Sequence, residues 1–317
     1  MQFKHLSVVN GLSSNSVIAI EQDTLGQMWF GTRNGLNKYD GTHFEVYKND
    51  PKDSTSIGNN DVLSITEDSD GFIWVGTYNG LNRFNPVKNT FKRYNQTEEN
   101  NSLINPLVIC SREMASGEIW FGTGNGISIY DKKQDAFINI PFNKDNPNGL
   151  PYSNIQNNNV QRIFVDSKEQ IWVATSSGLA KLISRDNNVF IFKQFRWKEK
   201  LDDLFIQDII ETAPNKLGLA TKYYGYILFD TVEEKFIVPS FKGIPLTGDI
   251  RVLQPSDGGC VWLGTTQGIK IIGPQNEITV LESHGNSLTG LSQNFIKSIF
   301  KDRNGTIWAG TYNAGIN

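Results

Sequence analysis

The sequence predicts an all-β protein: a seven-bladed β-propeller of four-stranded antiparallel blades, with the N-terminal strand closing the ring. Three observations predict it. A Trp-x-Gly/Ala-Thr run returns at a regular interval. Segments of four to seven residues alternate apolar and polar side chains, and these segments break at Gly, Asn or Asp. Alternation with frequent turn signals marks many short antiparallel strands. A period near 46 residues lies in the range of four-stranded propeller blades.

The repeats are "MWFGTRNGLNKYD" (28–40), "IWVGTYNGLNRFN" (73–85), "IWFGTGNGISIYD" (119–131), "IWVATSSGLAKLI" (171–183), "VWLGTTQGIKII" (261–272) and "IWAGTYNAGIN" (307–317). The gap of 90 residues between Trp172 and Trp262 is two periods, and "LGLATKYYGYILFD" (217–230) fills it. The tryptophan slots are therefore 29, 74, 120, 172, 218, 262 and 308, with Gly218 in the fifth. A helical pattern over "KEKLDDLFIQDII" (198–210) competes weakly; its second half is in register with the strands, so it reads as loop plus strand.

In the second repeat, "VLSITED" (62–68) is the inner strand, and Gly71 turns the chain with a positive φ. "FIWVGT", "LNRFN" and "TFKRYN" follow as second, third and outer strands. Side chains alternate across a strand, so Trp74 and Gly76 share a face. The residue two after each tryptophan slot is always small: Gly31, Gly76, Gly122, Ala174, Ala220, Gly264 and Gly310. A large ring beside a small residue lets a neighbouring sheet come close. "FKHL" (3–6) has the outer-strand pattern and is expected to complete the last blade. The expected domain is one propeller over 1–317, cut from something longer because the seventh repeat stops inside its third strand.

Composition sets outer limits. The chain has 317 residues, 38% apolar and 20% charged, with 30 basic and 33 acidic residues. A net charge of −3 gives no sign of a nucleic-acid partner. No run of 18 apolar residues is present, and "MQFKHLSVVNG" lacks the apolar core of a signal peptide. Two cysteines cannot build a disulfide framework, and Cys110 and Cys260 fall in repeats nearly across the ring.

The runs Asn10 to Val17, Asp-x-x-Gly-x-hydrophobic-Trp-x-Gly-Thr and Gly-Leu-Asn-Arg/Lys-aromatic resemble the two-component regulator propeller repeat. The opening segment is similar to the start of the periplasmic sensor of a hybrid two-component system. The resemblance implies a receptor with two propellers, a β-sandwich, a membrane helix, and cytoplasmic kinase and receiver parts. It implies a non-catalytic sensor propeller in the periplasm, responding to an oligosaccharide. The partners it implies are the second propeller and the β-sandwich of the same receptor, with homodimerisation of the full-length protein.

In a propeller the loops between second and third strands emerge on one face. Arg33, Asn34, Tyr78, Asn79, Asn125, Lys222, Tyr223, Tyr224, Tyr312 and Asn313 lie in these loops and are the candidate ligand-binding residues. Aromatic rings stack on sugars, and Asn, Arg and Lys reach hydroxyl or acidic groups. The competing reading of each Asn-Gly pair is turn chemistry. Asn15, Asn60 and Asn294 open inner strands, and their side chains are expected to bond local backbone. The long segment 142–160 is a second candidate. Trp197 lies outside the repeat slots and is expected to pack on its own blade.

Other functions are a protein-docking scaffold, or a propeller lyase or hydrolase. Catalysis wants histidine and carboxylate on one loop face, and the second-to-third loops lack them. His5, His43 and His284 lie in outer strands or connecting loops without metal-ligand spacing, and "EDSDG" (67–71) lacks the full calcium-loop pattern. No cofactor and no metal are expected.

Overall fold

The computed structural model describes residues 3–153, 158–197, 204–241, 244–283 and 290–317. Each repeat folds as an antiparallel meander with its strands in chain order. In the second repeat the strands are Val62–Glu67, Ile73–Thr77, Gly80–Asn85 and Thr90–Tyr94. The inner strands of the successive repeats are Val17–Gln22, Val62–Glu67, Val108–Glu113, Val160–Val165, Ile206–Ala213, Ile250–Pro255 and Ile296–Lys301. They surround a central cavity of about 840 Å³. Residues 204–210 are loop and then strand, as the sequence pattern indicates; 198–203 lie outside the described residues.

The expectation of seven four-stranded blades is corrected by the strand pairing. Among the described residues six sheets have four strands, so the propeller has six blades. Among the described residues the seventh repeat contributes a two-stranded sheet, Ile296–Lys301 with Ile307–Thr311. The expected closing segment is present as an isolated antiparallel bridge, with Leu6 and Ile316 exchanging backbone hydrogen bonds at 3.0 and 2.8 Å, and not as a full strand. Ile316 makes another isolated bridge to Gly310. Directly after Leu6, Ser7 caps a 3-10 turn over Val8–Asn10.

The tryptophan is held by an aspartate six residues earlier. Asp68 Oδ1 accepts from the backbone N–H groups of Asp70 and Phe72 at 3.0 and 2.9 Å, which shapes the first turn. Its other oxygen accepts from Trp74 Nε1 at 2.6 Å. Trp29–Asp23, Trp172–Asp166 and Trp308–Asp302 repeat the bond at 2.8, 2.8 and 2.9 Å. In the third repeat Met114 takes the aspartate's place and Trp120 lacks that bond. The third-strand cation of the Gly-Leu-Asn-Arg/Lys run lies over the ring, with Arg83 5.6 Å from the Trp74 centroid and Lys38 5.8 Å from that of Trp29.

Each blade then docks on the next through the small residue beside the tryptophan. A Cβ placed on Gly31 would lie 2.6 Å from Val62, on Gly76 2.7 Å from Val108, and on Gly122 2.7 Å from Val160. Gly264 meets Ile296 in the same way, and Gly310 meets Val17, which carries the contact from the last repeat to the first. Trp29 meets Phe84 of the following blade at 5.6 Å, Trp74 meets Tyr130 at 4.7 Å, and Trp308 meets Tyr39 at 6.4 Å.

The departure at Gly218 has a local cause. Tyr226, 3% exposed on the third strand, lies across the vacated slot, with its hydroxyl 2.7 Å from where a Gly218 Cβ would stand. The aromatic volume is kept and its origin has moved one strand outward. Trp197 is buried against Tyr224 and Phe236 of the fifth repeat, with centroids 5.7 and 5.6 Å away, so its ring contacts are with the following blade and not with its own as expected.

Gly76→Ala should lower stability by about 1–3 kcal/mol, the usual cost of overfilling a close-packed contact. In urea unfolding this reads as a lower midpoint at an unchanged slope. An unchanged midpoint would show that the blades do not need this close contact.

Candidate functional site

The turn between second and third strands is built the same way in each repeat. Thr77, fully buried, donates its hydroxyl to Gly80 O at 2.7 Å and accepts from Asn79 N at 3.2 Å. Gly80 sits at φ +107°, a conformation that favours glycine. The residue after the threonine donates its N–H to the residue that opens an inner strand. Tyr78 bonds Asp61 O at 2.9 Å, Lys222 bonds Phe205 O at 3.0 Å, and Tyr312 bonds Phe295 O at 2.9 Å. This backbone pairing sets which loop residue stands over which strand opening.

The residue two positions after that strand opening lines the cavity. The first-to-second strand register slips between Val17 and Ala19, and at the equivalent place in every other repeat. A bulge leaves one residue unpaired and re-aims its side chain. The residues so placed are Ile18, Leu63, Ile109, Gln161, Gln207, Arg251 and Lys297, and all line the cavity. One side of the mouth is therefore apolar, and the other is amide and cationic.

On the cationic side Tyr312 stacks on Phe295 at 5.0 Å and 16° between planes. Lys297 Nζ lies 5.0 Å from the Phe295 centroid and 5.3 Å from that of Tyr312, and the Arg251 guanidinium lies 4.7 Å from the Phe295 ring. Arg251 pairs with Asp249 at 2.7 Å, and Asp249 also accepts from Gln207 at 2.5 Å. Arg33 reaches Asp61 at 3.8 Å from the first repeat to the second. Burial, with Arg251 and Arg33 adding repulsion, pushes the Lys297 ammonium down to about 8. Burial raises the Asp61 carboxyl, against the pull of Arg33 and Lys297.

The sequence candidates divide by place. Arg33 and Tyr312 stand at the charged mouth. Lys222 and Tyr223 form a neighbouring patch, with Lys222 Nζ 5.0 Å from Phe205 and 5.2 Å from Tyr223. Tyr78, Asn79 and Asn125 are exposed turn residues. Asn34 bonds Ser13 O through its side chain at 3.2 Å, and Asn313 N bonds Gln293 at 2.9 Å. Tyr224 turns toward Trp197. Asn15, Asn60 and Asn294 accept from Val8, Asn49 and Ser283 N–H, which fixes the loops entering the inner strands. In the long segment, Asn148 O accepts from Phe192 N at 2.8 Å and Gly149 O from Gln194 Nε2 at 3.1 Å; 154–157 lie outside the described residues.

Sequence reasoning missed Phe295, Lys297, Arg251 and Asp249. Aligning the inner strands position by position would have found them, because three repeats carry Ile or Leu where Arg251 and Lys297 stand.

Deeper in the cavity, Arg162 and Asp208 pair at 3.2 Å, and Asp208 accepts from the backbone of Ile209 and Leu253 at 2.9 Å each. Glu21 lies further down, and burial raises its carboxyl from 4.5 to about 7, with Arg162 and Arg112 pulling the other way. Among the described residues no group of His, Cys, Asp and Glu is arranged to hold a metal ion. His5 bonds Gly290 O at 3.0 Å and His43 sits in the Asp40 turn; His284 lies outside the described residues. Cys110 and Cys260 are free thiols. Among the described residues no helix is long and apolar enough to cross a membrane.

Comparison with known proteins places these features. The two component regulator propeller family model matches residues 11–34, 56–79 and 290–313. The chain is 50% identical over 227 residues to Histidine kinase P4 of Formosa agariphila, a match that covers 70% of this chain and 16% of that protein. The extracellular domain of a hybrid two component system of B. thetaiotaomicron superposes with a TM-score of 0.83 at 26% identity, over 99% of this chain and 41% of that one. Virginiamycin B lyase of Staphylococcus aureus superposes at 0.68 with 16% identity, covering 100% of this chain and 97% of that one, which shows a shared fold alone. The chain thus spans well under half of the kinase and of the receptor domain.

The Glu21 shift has a definite sign. Between pH 4.5 and about 7 the folded protein keeps a proton that the unfolded chain has shed. The resulting stability is present below that window and is lost as pH rises through it. Glu21→Gln should therefore be more stable than wild type at pH 8 and similar at pH 4.5, measured by urea unfolding. Equal stability at pH 8 would place Glu21 in freer solvent than its burial indicates.

Proposed function

We propose that this chain, which carries two-component regulator propeller repeats, is a non-catalytic periplasmic recognition domain of a two-component receptor, and that its ligand is a glycan fragment bound at the loop-face mouth. The observation that carries the glycan reading is the stacked Tyr312–Phe295 pair at the rim of the cavity, bordered by Lys297 and Arg251. An aromatic face takes up the apolar side of a sugar ring, while neighbouring polar groups bond its hydroxyls. Tyr312 is 43% exposed, so its ring is open to a ligand on the side away from Phe295. Support for the receptor assignment comes from the likeness to the extracellular domain of a hybrid two component system and to a histidine kinase. The second propeller and the β-sandwich of the same receptor are the partners this reading names.

Isothermal titration of an oligosaccharide panel against the whole extracellular region tests it. One oligosaccharide should bind, and Tyr312→Ala should weaken it about three- to tenfold. Absence of any oligosaccharide binding, or an unchanged affinity in Tyr312→Ala, would overturn the glycan reading.

A further inference from the structure

We infer that the mouth of the cavity holds an oxyanion subsite formed by Lys297, Arg251 and Arg33, and that the ligand is an acidic saccharide whose carboxylate or sulfate group sits there while its ring lies on Tyr312. The inference rests on the glycan reading above and goes beyond it in assigning a charge to the ligand.

Three cations and two carboxylates face one another at this place: Arg33, Arg251 and Lys297 with Asp61 and Asp249. Asp249 is engaged, held by Arg251 and Gln207. Asp61 faces Arg33 at 3.8 Å through Oδ2, while its Oδ1 is buried without a hydrogen-bond partner. Lys297 is left over. Among the described residues it makes no ion pair and no hydrogen bond, and its ammonium rests only against the Phe295 and Tyr312 rings. Arg251 Nε is buried without a hydrogen-bond partner. A buried donor left unmatched is costly, and an arriving oxyanion would satisfy it with a charge-assisted bond.

The repeat itself provides the control. At the same position the first three repeats carry Ile18, Leu63 and Ile109, so packing and closure of the ring do not require charge there. The cations belong to the two repeats beside the aromatic pair. Repulsion from Arg251 and Arg33, together with burial, has lowered the Lys297 ammonium to about 8, and a bound anion would reverse that.

The test uses the 317-residue chain at low ionic strength, with sodium sulfate, sodium glucuronate and glucose as probes. Binding is followed by NMR, including the titration of the Lys297 Cε signal. Sulfate or glucuronate should move the Lys297 midpoint up from about 8 toward the ordinary lysine value of 10.5, and glucose should leave it in place. Lys297→Met, which keeps the aliphatic stem, should weaken anion binding about tenfold or more, and Arg33→Ala should weaken it less because Arg33 is the more exposed. A stronger response to glucuronate assigns a uronate, and a stronger response to sulfate assigns a sulfate ester.

No upward movement of the Lys297 midpoint, or unchanged anion affinity in Lys297→Met, would overturn the inference. Its failure is distinct from that of the glycan reading. Binding of a neutral oligosaccharide that depends on Tyr312 and ignores Lys297→Met removes the oxyanion subsite alone. Anion binding at Lys297 with no oligosaccharide binding removes the glycan alone.

Discussion

The close contact between a small second-strand residue and a β-branched residue of the next inner strand is what the rest of the structure depends on. Where Gly31 meets Val62 there is no room for a side chain on the glycine. The same contact recurs around the ring and returns from Gly310 to Val17. Because sheets approach this closely, Trp29, Trp74, Trp120, Trp172 and Trp308 can lie over their own sheets and still touch an aromatic ring of the next blade. The interior is then packed at the density of a crystal, and little of the tryptophan surface remains in water. The aspartate that takes the indole N–H also shapes the hairpin turn, so a single carboxylate ties turn geometry to blade packing.

That packing presents inner strands to a common cavity, and the bulge near the start of each one turns a side chain into its mouth. A scaffold of this kind repeats positions and leaves their chemistry open. The seven bulged positions run from isoleucine and leucine to glutamine, arginine and lysine. Differences at structurally equivalent positions are informative because the backbone around them is the same. The aromatic pair and the cations gather on the side of the mouth made by the later repeats, and this asymmetry makes that side the candidate for recognition.

Regularity also has limits. The seventh repeat carries the tryptophan, its aspartate and its glycine, yet among the described residues it forms a two-stranded sheet, with Ile316 and Leu6 joined on by isolated bridges. The fifth repeat has no tryptophan, yet its core is filled, because Tyr226 reaches the same space from the neighbouring strand. In the first case the motif is present and the full blade is not; in the second the blade is present and the motif is not. Motif and architecture are linked through volume and hydrogen bonds, and either can change while those are met.

The sequence by itself determined the all-β class, the meander within each repeat, the glycines that turn the hairpins and the small residues that let blades touch. These follow from local chemistry, alternation and period, which a linear reading preserves. The turn role of Asn79 and Gly80 was legible for the same reason. The count of complete blades was decided by pairing between residues far apart in the chain, where "FKHL" supplies an isolated bridge at Leu6 and not a full strand. The charged mouth was decided in the same way. Arg33, Arg251, Lys297 and Tyr312 come from three repeats, and nothing in their immediate neighbours marks them as a group. They meet because closing the ring brings the first and last repeats side by side, and only there do their charges act on one another.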